Sequence, residues 1–144
     1  MRPILCLLAA GICVSLAACE EPIVRSQEIP AGISTLELVF HRTEWFSCTA
    51  AVYRVEPEFA RRLQAEGLAM LPSGAGWVAT PTPDDMSKET ANLTATWQCL
   101  AGTQYGDLFQ TVADHAGGYY LQTAEGGTDI VIPDQGLLLV GGYE

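Results

Sequence analysis

The chain has 144 residues, of which 17 are acidic and 7 are basic, so its formal net charge at pH 7 is −10. Because contact with nucleic-acid phosphates needs clustered Lys and Arg, this charge disfavours a nucleic-acid partner. It equally disfavours electrostatic attraction to anionic lipid surfaces.

The first 18 residues have the layout of a cleaved secretory signal. Arg2 is followed by an uncharged and largely apolar run from Ile4 to Ala18. That run is shorter than the roughly 20 residues that a helix needs to cross a bilayer, and Glu20 follows it closely. We therefore expect a signal peptide at residues 1–18 rather than a permanent transmembrane helix.

The run ends in Leu16-Ala17-Ala18-Cys19, which resembles the lipobox of bacterial lipoproteins. The resemblance covers residues 1–19 only. It implies that the Sγ of Cys19 carries diacylglycerol, that cleavage makes Cys19 the new N-terminus, and that acyl chains such as palmitate hold the chain on the cell membrane or the outer membrane, facing the periplasm. The alternative is an ordinary signal that is cut nearby and releases a soluble protein. The mature domain resembles no characterised family.

Two cysteines remain once the signal and Cys19 are set aside, namely Cys48 and Cys99. In an exported chain such a pair predicts one disulfide, although two buried thiols are the alternative. The bond would close a loop of 52 residues (99 − 48 + 1), for which chain entropy predicts about 4 kcal/mol of stabilisation.

Residues 19–33 contain two prolines and a glycine without a clear period, which predicts a lipidated cysteine followed by a tether. Residues 34–144 are then one small domain. Its first predicted strand shows period two, with Leu36, Leu38 and Phe40 on one side. A strand at 49–55 and a helix that starts at Pro57 and stops at Gly67 follow.

The sequence of the second half of the domain predicts a loop or edge strand, then two helices, then three strands. A stretch rich in Pro, Gly and Ser at 71–83 reads as a loop or an edge strand. Thr82 can cap a helix that reaches residue 100 and has Trp97 in its apolar stripe, and a further helix is predicted at 107–116. Strands are predicted at 119–123, 130–132 and 137–140, the last being apolar throughout and so buried on both faces.

Together these elements predict an α+β fold, in which two or three helices pack on one face of a mainly antiparallel sheet of about five strands. A cleaved signal and a short tether precede this domain.

Few residues indicate a catalytic or metal-binding site. His41, Glu44 and His115 are weak candidates for a metal site or for metal-assisted hydrolysis, because nothing in the sequence brings them together. His115 has the plain alternative of a favourable charge in the last turn of a helix. No serine lies in a nucleophile elbow, and a catalytic Cys48 would need a free thiolate, so no catalytic residue and no cofactor are indicated.

The aromatic residues suggest binding instead. Most of them are expected in the core, but Trp45 and Trp77 lie in loop-like stretches and are candidates for an exposed ligand site. The sequence therefore favours a membrane-anchored envelope lipoprotein that acts as a non-catalytic accessory or interaction module with an envelope protein partner. The alternatives are a periplasmic domain that binds a small ligand, glycan or peptide and, less favoured, a metal-assisted hydrolase.

Overall fold

A computed structural model describes residues 29–44, 48–82, 89–123 and 128–142. The elements, in chain order, are β1 Thr35–Glu44, β2 Cys48–Val55, α1 Pro57–Glu66, β3 Val78–Ala79, α2 Glu89–Leu100, α3 Gln104–Asp114, β4 Tyr119–Gln122, β5 Thr128–Ile132 and β6 Leu137–Gly142. Short 3₁₀ helices occupy Gly67–Met70 and Pro133–Gln135.

The strands form one antiparallel sheet in the order β1-β2-β6-β5-β4-β3. This arrangement confirms the predicted α+β fold, with six described strands rather than about five. The strand β6 lies between β2 and β5, and its apolar run is buried on both faces as predicted. The side chains of Leu138 and Val140 point to one face and that of Leu139 to the other, each at most 1% exposed.

The first face of the sheet, here called face 1, is covered by α1. This helix begins at Pro57, whose missing N–H costs nothing in the first turn, and ends at Gly67, which has a φ of +64°. Both bounds were predicted from the sequence. The helix packs Phe59, Ala60 and Leu63 against β2, β5 and β6. Ile33, assigned to the predicted tether, is buried in the same cluster, so the chain packs against the sheet before β1 begins.

The opposite face, face 2, is covered by α2 and α3, so two helices share one face and the third covers the other. The helix α3 starts three residues earlier than predicted, because Thr103 caps it. The Oγ1 atom of Thr103 accepts hydrogen bonds from the backbone N–H groups of Tyr105 and Gly106. The helix also ends earlier, at Asp114 rather than at residue 116.

The residues of α2 that are buried differ from those of the predicted apolar stripe. Trp97 is 38% exposed, whereas Ala95, Thr96, Cys99 and Leu100 are fully buried. The expected start of this helix near residue 83 lies outside the described residues. A Cβ at Gly141 of β6 would lie 2.5 Å from Cγ2 of Thr96, so the helix rests on a strand position that only glycine fits.

The edge strand β1 contains two irregularities in its pairing with β2, between Thr35 and Glu37 and between Leu38 and Phe40. The second moves successive apolar residues to opposite faces. Leu38 pairs with Tyr53 of face 1 and is 44% exposed, whereas Phe40 packs on face 2. The strand itself was predicted, but the prediction that these residues share one side is wrong, because a bulge breaks the period of two.

Candidate functional site

The predicted disulfide is present between Cys48 at the start of β2 and Cys99 in the last turn of α2, with 5.8 Å between their Cα atoms. Both residues are fully buried on face 2. Next to them, Nη1 of Arg42 on β1 donates hydrogen bonds to the carbonyl oxygens of Cys99 and Ala101. The disulfide and these hydrogen bonds join the end of α2 to β2 and β1. Because Cys48 is in a disulfide, it has no free thiol that could act as a nucleophile.

The three weak metal candidates are divided between two elements. His41 is in β1, Glu44 ends the same strand, and His115 caps the C-terminus of α3. Across the part of the chain that the structure describes, no three His, Cys, Asp or Glu side chains are close enough to hold a metal ion. His115 Nδ1 lies 2.9 Å from the carbonyl oxygen of Thr111. The imidazole is therefore at the C-terminal end of the helix, as expected from the alternative to a metal-binding role.

Trp77, one of the two aromatic candidates, lies beside a concave surface. It helps to line a groove of about 330 Å³ between the 3₁₀ helix after α1 and the start of β3. The lining contains no charged side chain and consists of Leu68, Ala69, Leu71, Pro72, Ser73, Gly74, Gly76 and Trp77.

The expectation that Trp77 is exposed is wrong, because only 9% of it is accessible. The ring packs into the face 1 core with Leu71 and Leu121, and burial of so large an apolar surface outweighs the loop-like sequence around it. Its Nε1 atom is buried and has no hydrogen-bond partner among the described residues. Trp77 therefore forms a wall of the groove rather than a projecting contact. Trp45, the other candidate, lies outside the described residues.

A buried carboxyl group was missed by sequence reasoning. Asp129 lies in β5 between Leu121 of β4 and Val140 of β6 and is 5% exposed. Loss of solvation raises the pKa of its carboxyl group from 3.8 to about 7. A signal was available, since an acid directly precedes the apolar residues Ile130, Val131 and Ile132 of the strand Thr128–Ile132. Its cross-strand neighbours, Leu121 and Val140, are apolar. Burial of the carboxyl group therefore affects the stability of the fold, and neither neighbour can exchange a proton with it.

No helix within the described segments is both long enough and apolar enough to cross a membrane. No protein-family model matches this chain, and no curated protein or solved structure is significantly similar to it.

Proposed function

We propose that this protein is a lipid-anchored lipoprotein of a bacterial envelope whose single domain acts as a non-catalytic accessory or interaction module. The observation that carries the proposal is the sequence Leu16-Ala17-Ala18-Cys19, placed directly after an uncharged run that follows Arg2. Lipid on Cys19 would hold the domain on the cell membrane or the outer membrane, facing the periplasm. Two or more acyl chains give stable anchoring where one does not.

The Cys48–Cys99 disulfide supports this location. Disulfides form and persist in oxidising compartments such as the periplasm and are rare where thiols are kept reduced.

The anchoring is tested by producing the full chain in a bacterium fed with an alkyne analogue of palmitate. We expect the mature protein to incorporate the label, to begin at Cys19 and to have the intact mass of a triacylated or diacylated chain. The Cys19→Ser variant, which keeps every other feature of the signal, should incorporate none. A native chain that matures at another residue without lipid would refute the proposal.

The interaction role is tested on the same lipidated protein. A tag placed after Glu144 allows purification from membranes that have been gently dissolved in detergent, and mass spectrometry identifies what is bound. A stoichiometric envelope protein supports the accessory module. A preparation without any partner argues against it and favours the second candidate.

The second candidate is the binding of a small uncharged ligand, and the groove beside Trp77 is the observation that favours it. Its volume of about 330 Å³ lies at the lower end of ligand pockets, and its lining is apolar and uncharged. A bound ligand would change the environment of the Trp77 ring. A neutral glycan or peptide fragment that shifts tryptophan fluorescence in the native protein, but not in Trp77→Phe, would support this candidate.

A further inference from the structure

A continuous segment on the face 1 side of the molecule, Gly67–Val78, contains no charged residue. We call it the uncharged lobe. It comprises the 3₁₀ helix after α1, the loop that forms the groove, and the first residue of β3. Leu68 and Val78 are both 42% exposed although they are large and apolar. The lobe thus combines exposed apolar side chains with an absence of charge, in a strongly acidic protein.

The chain reaches the domain beside this lobe. The backbone at Gly32 runs so close to Pro72 that a Cβ there would lie 2.7 Å from Cγ of the proline. Ile33 then enters the same core cluster as Leu71, and Ile29, just upstream, is 38% exposed. The first described residues, 29–33, therefore lie beside the lobe.

The distance back to the proposed anchor is short. Ten residue steps separate Cys19 from Ile29, and a fully extended chain of that length spans at most about 36 Å. A tether of this length gives the lobe a high effective concentration at the bilayer surface. A contact that would be too weak to bind a free domain can then orient a tethered one.

The charge of a protein surface determines whether that surface can approach the bilayer. The inner and outer surfaces of a bacterial envelope contain anionic lipids, which repel acidic protein faces. The lobe has no charge of its own, and the nearest acid along the chain, Glu66, is paired with Arg62 at 3.1 Å. Its exposed leucine and valine gain free energy on leaving water, in proportion to the apolar area that the lipid covers.

We propose that the uncharged lobe, Gly67–Val78, is the surface through which the tethered domain rests on the bilayer that holds Cys19. The inference rests on the proposed lipid anchor. It fixes an orientation, in which the lobe meets the lipid and the helices α2 and α3 on face 2 point away and remain open to a partner.

The test uses the full chain, purified in its mature form and reconstituted into nanodiscs of phosphatidylethanolamine and phosphatidylglycerol that contain a gadolinium-chelating lipid. Intact mass first establishes whether Cys19 is lipidated. Paramagnetic relaxation of the methyl groups of Leu68 and Val78 is then compared with that of the Trp97 indole N–H, which is exposed on α2. We expect several-fold greater relaxation at the lobe.

Two matched variants sharpen the comparison. Leu68→Asp should reduce relaxation at Val78 several-fold, whereas Trp97→Asp, an equally drastic change at an equally exposed site, should leave it unchanged. Both should keep the far-ultraviolet circular dichroism of the native protein, which reports that they are folded. Lipidated protein with equal relaxation at the lobe and at Trp97 overturns this inference alone. A chain that matures without lipid overturns the proposed function and the inference with it.

Discussion

Replacing Asp129 by asparagine should make the protein more stable at neutral and alkaline pH. The carboxyl group is 5% exposed between two apolar neighbours, and its pKa in the folded protein is about 7, against an ordinary value of 3.8. Burial therefore favours the protonated form, which carries no charge. Asparagine has nearly the same shape and stays neutral at every pH used.

The sign and size follow from proton linkage. Because folding raises the pKa of Asp129, the stabilisation of its protonated form is complete below pH 3.8 and is lost as the pH rises to about 7. A difference of about three pH units corresponds to an upper limit of about 4 kcal/mol in the free energy of unfolding. Above pH 7 this loss is complete and changes no further.

The assay is urea unfolding followed by circular dichroism, at several pH values between about pH 4 and pH 8. We expect the native protein to lose stability relative to Asp129→Asn across this range, and the variant to be the more stable one at the alkaline end. Asp114→Asn, at an exposed aspartate that ends α3, is the control. Equal pH dependence in the native protein and Asp129→Asn would refute the reasoning, since it would mean that the carboxyl group stays hydrated in the folded state.

Two further predictions concern the packing of α2. Reduction of the Cys48–Cys99 bond, or its removal by the double substitution to alanine, should lower the free energy of unfolding by about 4 kcal/mol, and a change below about 1 kcal/mol in urea unfolding would contradict the loop-entropy argument. Gly141→Ala should cost about 1–3 kcal/mol, because the new Cβ would lie 2.5 Å from Cγ2 of Thr96. Adding Thr96→Ser, which removes that methyl group, should restore part of the loss. Thermal unfolding of the single and double variants checks this, and no recovery would mean that helix and strand do not meet at this point.

The fold was predictable where local chemistry decides the outcome. Pro57 and Gly67 bound α1 because each has a backbone preference that holds in any surroundings. The apolar run of β6 predicts a central strand, since only a strand covered on both faces can bury every side chain. The pair of cysteines remaining in an exported chain predicted the disulfide for similarly general reasons.

Features that depend on distant neighbours were not predictable. Trp77 lies among small and polar residues in the sequence, and it is buried because it joins the face 1 core cluster, whose members come from distant parts of the chain. Asp129 interrupts a run of apolar residues in the sequence, but its burial depends on β4 and β6, which flank it. The face of Leu38 depends on a bulge, and a single added residue inverts the pattern beyond it.

The function was less predictable than the fold because its signals lie in separate places. The resemblance of residues 16–19 to a lipobox can be recognised without any structure, and it carries the proposed location. The groove beside Trp77 is formed by the loop between α1 and β3, and most of its residues are small and common. Because these residue types are found in many loops, the sequence alone does not indicate that they form a groove.

The two bulges of β1 also affect how copies of the protein meet. In the described segments no strand pairs with the outer edge of β1, which is ten residues long and exposes two leucines. A regular edge of this length is a template on which a second chain can add a strand. The irregularities at Leu36 and Val39 interrupt the row of backbone donors and acceptors. Molecules crowded on a membrane surface, as proposed here, would thereby be kept from joining edge to edge into a continuous sheet.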